Sequence, residues 1–158
     1  MDFTFTEVQD DLRGLARKIL QERVTPERLK QLEAGTERVD RETWAEMAKA
    51  DLIGIALPED VGGGGYGVME LGVILGEVGR HVAPVPMLAT AIAAVPLAKL
   101  GGAELRAGLL PRVISGDVFL TAALEEANGA NPLQPATTAQ RDGDDWVLDG
   151  EKVAVPWG

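Results

Sequence analysis

The stretch LPEDVGGGGYG, residues 57–67, places four consecutive glycines behind an apolar run and a proline. A phosphate-binding loop of the P-loop kind needs a lysine and a hydroxyl residue directly after its glycines. Here the next lysine is Lys99, and the spacing of a dinucleotide-binding G-x-G-x-x-G unit is also missing. The glycine run is therefore predicted to be a bend, and the fold depends on the two elements that this bend joins.

Before the bend lies the apolar run LIGIAL, residues 52–57, which is too short for a helix of its own and is stopped by Pro58. We expect it to be a buried, extended connector. After the bend, apolar residues return at helical spacing from Val68 onward. Three glycines recur in this helix, and their spacing predicts that another backbone approaches it closely; they are Gly72, Gly76 and Gly79.

The rest of the first 116 residues also reads as helix. Thr6 followed by Gln9 is a capping box, Thr25-Pro26 starts a second segment that ends at Gly35, and Asp40 caps a third. Two further apolar helices are predicted, one after Pro86 that ends at Gly101-Gly102, and one over residues 103–114.

The hydrophobic period changes near residue 116. The segment DVFLTAAL, residues 117–124, reads as a strand, and residues 137–155 alternate around Asp142-Gly143 and Asp149-Gly150 as antiparallel hairpins do. The sequence thus predicts an α+β chain, with an all-helical domain over residues 1–116 and the start of an antiparallel β domain over residues 117–158.

Composition narrows the functional classes. A formal net charge of −10 argues against nonspecific binding of nucleic acid. The amino terminus has no secretion signal, no apolar stretch reads as a membrane span, and the chain has no cysteine, so a cytoplasmic location is expected. His81 is the only histidine, and no metal site is predicted.

Five blocks in order carry a family resemblance: LIGIALPEDVGGGGYG (52–67), LGEVGR (75–80), LGGAELRAGLLPRVISGD (100–117), AALEEANGANP (122–132) and DGDDWVLDGEKVAV (142–155). The whole chain resembles the amino-terminal part of the acyl-CoA dehydrogenase family. This resemblance implies a helical amino-terminal domain, a β-barrel-like middle domain and a carboxy-terminal helical bundle, with FAD as the cofactor. We expect the chain to stop inside the middle domain, with the bundle and its catalytic carboxylate absent, so no catalytic residue is assigned.

The resemblance also implies which residues face the flavin. The family block Ala-Leu-Thr-Glu-Pro-x-x-Gly-Ser aligns with residues 123–131, so the flavin-binding threonine is replaced by Glu125 and the serine by Asn131. The backbone N–H groups of Leu124 and Glu125 remain as donors. An anionic Glu125 beside a reduced flavin would be unfavourable unless its carboxylate turns away or is protonated.

A second flavin-facing block of the family, Lys-x-Trp-Ile-Thr-Asn-Gly, aligns with residues 152–158. Here the family tryptophan becomes Ala154 and the threonine near flavin N5 becomes Pro156, which has neither a hydroxyl nor an N–H. The expected FAD-binding residues are therefore Leu124, Glu125, Asn131, Val155 and Pro156.

The implied function is FAD-dependent α,β-dehydrogenation of an acyl-CoA thioester, in the degradation of fatty acids or sterol side chains. The stretch GRHVAPVPML, residues 79–88, resembles actinobacterial relatives that work as two-subunit enzymes, so a homo- or hetero-oligomer of such subunits is expected. The alternatives are a non-catalytic partner subunit of a hetero-oligomer, a flavin-dependent oxygenase on the same fold, and a helical interaction module.

Overall fold

The computed structural model describes residues 4–127 and 131–157. Over these residues the chain forms six α-helices, one 3₁₀ turn and one two-stranded antiparallel sheet. The helices are α1 (Glu7–Arg23), α2 (Pro26–Ala34), α3 (Arg41–Lys49), α4 (Val68–Arg80), α5 (Met87–Leu100) and α6 (Ala103–Ile114); the strands are β1 (Thr138–Asp142) and β2 (Asp145–Asp149).

This element order confirms the α+β class, with helices first and antiparallel strands after them. The chain divides into two compact units, a helical unit up to Leu120 and a second unit from Thr121 onward. The predicted domain boundary lies at residue 116, and the division between the compact units falls after Leu120. None of the described helices is both long enough and apolar enough to cross a bilayer.

The first three helices begin at the predicted caps. The Thr6 hydroxyl accepts from the Gln9 N–H, and the Gln9 side chain accepts from the Thr6 N–H, so the capping box is confirmed. Thr25 caps α2 with Pro26 at its first position. Asp40 caps α3 and is itself buried.

Two buried carboxylates join the helices of this unit. Glu77 of α4 accepts two hydrogen bonds from the Arg17 guanidinium of α1, at 2.8 and 3.1 Å, and these bonds lower the pKa of Glu77. Asp40 accepts from Arg28 at 2.7 and 3.3 Å and from the Thr43 hydroxyl at 2.8 Å. Burial alone would raise the pKa of Asp40, but the hydrogen bonds from Arg28 and Thr43 outweigh it and the pKa is lowered.

The connector at residues 52–57 is buried as predicted, but the prediction that it is extended is wrong. Leu52, Ile55 and Leu57 belong to the hydrophobic core. The backbone turns instead, because the Leu57 N–H donates to the Gly54 carbonyl at 2.9 Å. The turn folds the apolar run on itself while its side chains stay buried in the core.

The glycine run packs against this connector, as a bend and not as a ligand loop. The N–H groups of Gly64 and Gly65 donate to the carbonyls of Gly54 and Leu57, at 3.0 and 2.9 Å. A Cβ on Gly63 would lie 2.3 Å from the Leu57 carbonyl oxygen, so a side chain there is excluded. Backbone contact therefore requires glycine at this position.

The predicted close approach to the glycines of α4 is wrong. A Cβ added to Gly72, Gly76 or Gly79 would meet nothing within 4 Å among the described residues. All three glycines are exposed, because α4 buries Leu71, Val73, Ile74 and Glu77 on its other side.

The predicted strand over residues 117–124 is also absent from the described structure. The backbone of Leu120 is held by a side chain instead of a neighbouring strand: the Thr90 hydroxyl lies 3.3 Å from both its N–H and its carbonyl. The hairpin at Asp142-Gly143 is confirmed, with Asp142 opposite Asp145 and Gly143 at φ 63°. No second hairpin follows Gly150 in the described residues, because Val153 pairs with Glu125.

Substitution by alanine should change stability in opposite directions at a glycine of the bend and at an exposed glycine of α4. We expect Gly63→Ala to lower the free energy of unfolding by about 2–3 kcal/mol, since its Cβ collides with backbone. The matched substitution Gly72→Ala should raise it by about 0.5–1 kcal/mol, since its Cβ points into open space on a helix. Urea unfolding of both variants measures these changes, and equal effects would contradict the assignment of the bend.

Candidate functional site

The second unit brings two separate segments of the predicted site side by side. The Val153 N–H donates to the Glu125 carbonyl at 3.0 Å, which forms an isolated antiparallel bridge. Four residues before Glu125, the Thr121 hydroxyl donates to the Pro156 carbonyl at 2.6 Å. Residues 121–126 therefore run antiparallel to residues 151–157.

This pairing brings together four of the five predicted site residues, namely Leu124, Glu125, Val155 and Pro156. Asn131 is held differently. Its side-chain oxygen accepts from the Leu133 N–H at 3.0 Å and its carbonyl accepts from the Gln134 N–H at 2.7 Å, so it closes a local turn. Among the described residues no hydrogen bond joins Asn131 to the paired segments.

The paired segments offer one unused donor. Leu124 is 53% exposed and Glu125 is exposed. Within residues 4–127 and 131–157, no protein acceptor takes the N–H of Leu124, whereas the N–H of Glu125 faces Val153 across the antiparallel bridge. The Leu124 N–H is thus available to an acceptor atom of a ligand.

The opposing segment carries backbone strain. Ala154 and Trp157 both lie in the left-handed region, at φ 51° and 59°. This conformation costs roughly 1–2 kcal/mol for each residue that has a Cβ. Strained backbone of this kind concentrates at functional sites, where the surrounding structure enforces it.

Sequence reasoning missed the residue that organises this site, Glu126. It is only 8% exposed, and its carboxylate accepts four hydrogen bonds. They come from Lys152 Nζ at 2.8 Å, the Thr137 hydroxyl at 2.6 Å, the Thr137 N–H at 2.9 Å and the Ala136 N–H at 2.8 Å. The available signal was the alternation of an extended segment, which places the side chains of Glu125 and Glu126 on opposite faces.

These donors set the protonation state of Glu126. Hydrogen bonds from Lys152 and then from Thr137 and Ala136 lower the pKa of the carboxyl to about 2, from an ordinary value of 4.5. The group is therefore an anion at neutral pH. It is also fully engaged by the protein, so it is not available as a catalytic base.

The paired segments fit a flavin through a backbone group and not through side chains. The N–H of Leu124, which has no protein acceptor among the described residues, suits a hydrogen-bond acceptor of a flavin ring. Pro156 has no donor, and Ala154 offers no ring to stack on the cofactor. No cluster of three or more metal-ligating side chains occurs in the part of the chain that the structure describes.

Comparisons with known proteins agree on one family. The sequence profile "Acyl-CoA dehydrogenase, N-terminal domain" matches residues 6–117. "Acyl-CoA dehydrogenase FadE27" of Mycobacterium tuberculosis is 38% identical over 159 residues, which cover 100% of this chain and 42% of the relative.

Two solved structures are similar over nearly all of the chain. The "Tcur3481-Tcur3483 steroid ACAD G363A variant" superposes with a TM-score of 0.90 at 46% identity, covering 95% of this chain and 41% of that one. The "ChsE4-ChsE5 complex from Mycobacterium tuberculosis" gives 0.91 at 36% identity, covering 100% and 43%. The chain thus spans about two fifths of the length of these relatives.

The lowered pKa of Glu126 predicts a pH dependence of stability. A carboxyl whose pKa is depressed in the folded state stabilises the fold above its unfolded pKa, near 4.5, and loses that contribution as the pH falls toward 2. We expect the stability difference between the unmodified protein and Glu126→Gln to shrink steadily from pH 5 to pH 2. Urea unfolding over this range measures it, and a constant difference would contradict the assignment.

Proposed function

The chain belongs to the acyl-CoA dehydrogenase family, and from this premise we propose that it is a subunit of a FAD-dependent enzyme that dehydrogenates an acyl-CoA thioester at its α and β carbons. The substrate class that we propose is a fatty acyl-CoA or a sterol side-chain acyl-CoA. A cytoplasmic location, as expected from the sequence, is part of the same proposal.

The observation that carries this proposal is the pairing of the two site segments. One hydrogen bond from Val153 to Glu125 and one from Thr121 to Pro156 hold together stretches that are some thirty residues apart in sequence. Both stretches align with flavin-facing blocks of the family. Their pairing leaves the N–H of Leu124 without a protein acceptor among the described residues, at an exposed position.

Within this site we assign binding roles only. The backbone N–H of Leu124 would donate to the flavin ring, and Glu125, Val155 and Pro156 would line it. Asn131 would donate from its side-chain amide, for which a local turn positions it. FAD, when bound, supplies a hydride acceptor. No residue of this chain is assigned as the base that removes the α proton.

We further propose that the subunit works in a hetero-oligomer with a second acyl-CoA dehydrogenase-like subunit. Support comes from the two structural neighbours whose names give two components, Tcur3481-Tcur3483 and ChsE4-ChsE5. The first of these is named a steroid ACAD, which supports a bulky, sterol-derived acyl group as the substrate class here.

A second candidate is favoured by a specific observation. Three positions that supply flavin contacts in the family hold Glu125, Ala154 and Pro156, and the chain at Ala154 is strained. These residues would weaken a flavin site in this subunit. The chain would then be a non-catalytic partner, with the intact flavin site supplied by the related subunit.

Flavin content and reduction test the proposed activity. The protein that contains this chain, purified with the subunit that accompanies it, should be yellow, and its visible flavin absorbance should bleach when a sterol side-chain acyl-CoA is added without oxygen. A yellow complex whose flavin no acyl-CoA bleaches in the absence of oxygen would favour oxygenase chemistry instead. A colourless complex would overturn the proposal.

Substitution of Glu125 separates the two candidates. If this subunit contacts the flavin, Glu125→Thr removes a carboxylate from the ring edge and adds a hydroxyl donor, so FAD affinity should rise by about three- to tenfold. Glu151→Thr removes the same charge from a nearby exposed position and should leave affinity unchanged. Fluorescence titration of the apoprotein with FAD measures both. An affinity that Glu125→Thr does not alter would favour the non-catalytic partner.

A further inference from the structure

The buried carboxylate of Glu126 joins three stretches of the second unit. Glu126 Oε1 accepts from Lys152 and from both the N–H and the hydroxyl of Thr137, while Oε2 accepts from the Ala136 N–H. All four distances lie between 2.6 and 2.9 Å. The carboxylate is thus saturated with donors, as a buried charge must be if it is to stabilise its surroundings.

The residues next to this cluster are the proposed flavin contacts. Glu126 directly follows Leu124 and Glu125, and Lys152 directly precedes Val153, whose N–H donates to the Glu125 carbonyl. The Lys152–Glu126 ion pair and the Val153–Glu125 hydrogen bond therefore join the same two segments at adjacent positions. Together they fix the register in which the segments lie.

The directions of the Glu125 and Glu126 side chains depend on this register. Glu125 is exposed and Glu126 is buried, because neighbours in an extended segment point to opposite faces. The buried anchor at Glu126 thereby holds the Glu125 side chain on the outer face. A shift of one residue would exchange the two faces.

We propose that Glu126 is a positioning residue for the flavin site: its carboxylate, paired with Lys152, holds the Leu124–Glu125 edge against residues 153–156 in the geometry that the cofactor requires. This inference rests on the proposed flavin binding. Glu126 is assigned no contact with the cofactor, because its buried carboxylate already accepts four hydrogen bonds from the protein.

The test substitutes Glu126→Gln in the protein that contains this chain, copurified with its accompanying subunit. The amide keeps the size of the side chain but removes the charge that pairs with Lys152 and sets an NH₂ donor against a protein donor, so the cluster opens. FAD affinity, measured by fluorescence titration at a temperature where the variant is folded, should fall about tenfold or more, the scale seen for groups that orient binding residues elsewhere. Lys152→Met, which removes the cation from the other segment, should lower affinity in the same direction.

Asp40→Asn is the matched control. Asp40 is also a buried carboxylate with an arginine and a threonine as donors, but it lies in the helical unit. It should lower the melting temperature and leave FAD affinity unchanged. Amide hydrogen exchange supplies a readout that needs no flavin: exchange at Val153 should accelerate in Glu126→Gln and not in Asp40→Asn.

The outcomes separate this inference from the function on which it rests. Unmodified protein that binds no FAD would overturn the proposed function and this inference together. Unmodified protein that binds FAD, with Glu126→Gln and Lys152→Met binding it equally well, would overturn the positioning role alone. A fall in melting temperature without a change in affinity or in Val153 exchange would likewise contradict it.

Discussion

The helical unit depends on a contact between two backbones that tolerates no side chain. The glycine run can lie against the connector at residues 52–57 only because Gly63 places no atom where the Leu57 carbonyl stands. That contact turns the chain from the buried connector into α4. The Arg17–Glu77 ion pair then joins α1 to α4. On the other side of the connector, a Cβ on Gly54 would collide with Ile114 of α6, at 2.8 Å. Close packing around one short segment thus determines where the helices lie.

The second unit is organised by charge instead of apolar packing. Both strands of its hairpin are exposed along their whole length, and a lone two-stranded hairpin is marginal in water. Glu126 is the buried group that ties this unit together, through donors on Thr137, Ala136 and Lys152. Because the cluster lies beside the paired site segments, the same interaction serves both the local fold and the proposed cofactor site.

Features that depend on neighbours in sequence were predictable. The capping box at Thr6, the caps at Thr25 and Asp40 and the hairpin at Asp142-Gly143 follow local rules that the structure obeys. Features that depend on distant partners were not. Three examples are the exposure of Gly72, the hydrogen bonds between Thr90 and Leu120, and the four donors of Glu126. All three arise from tertiary contacts that residue spacing does not reveal. The family resemblance pointed to the two segments of the predicted site but gave no sign that Asn131 is tied into a separate local turn.

The central claim is that this chain presents the Leu124 N–H to a flavin, with Glu126 buried behind the Leu124–Glu125 segment. An experimental structure of the FAD-loaded complex tests it most directly. We expect a hydrogen bond from the Leu124 N–H to the flavin ring, about 3 Å between nitrogen and acceptor atom, with the Lys152–Glu126 pair intact. A flavin held entirely by the other subunit, with the Leu124 edge turned away from it, would contradict the account.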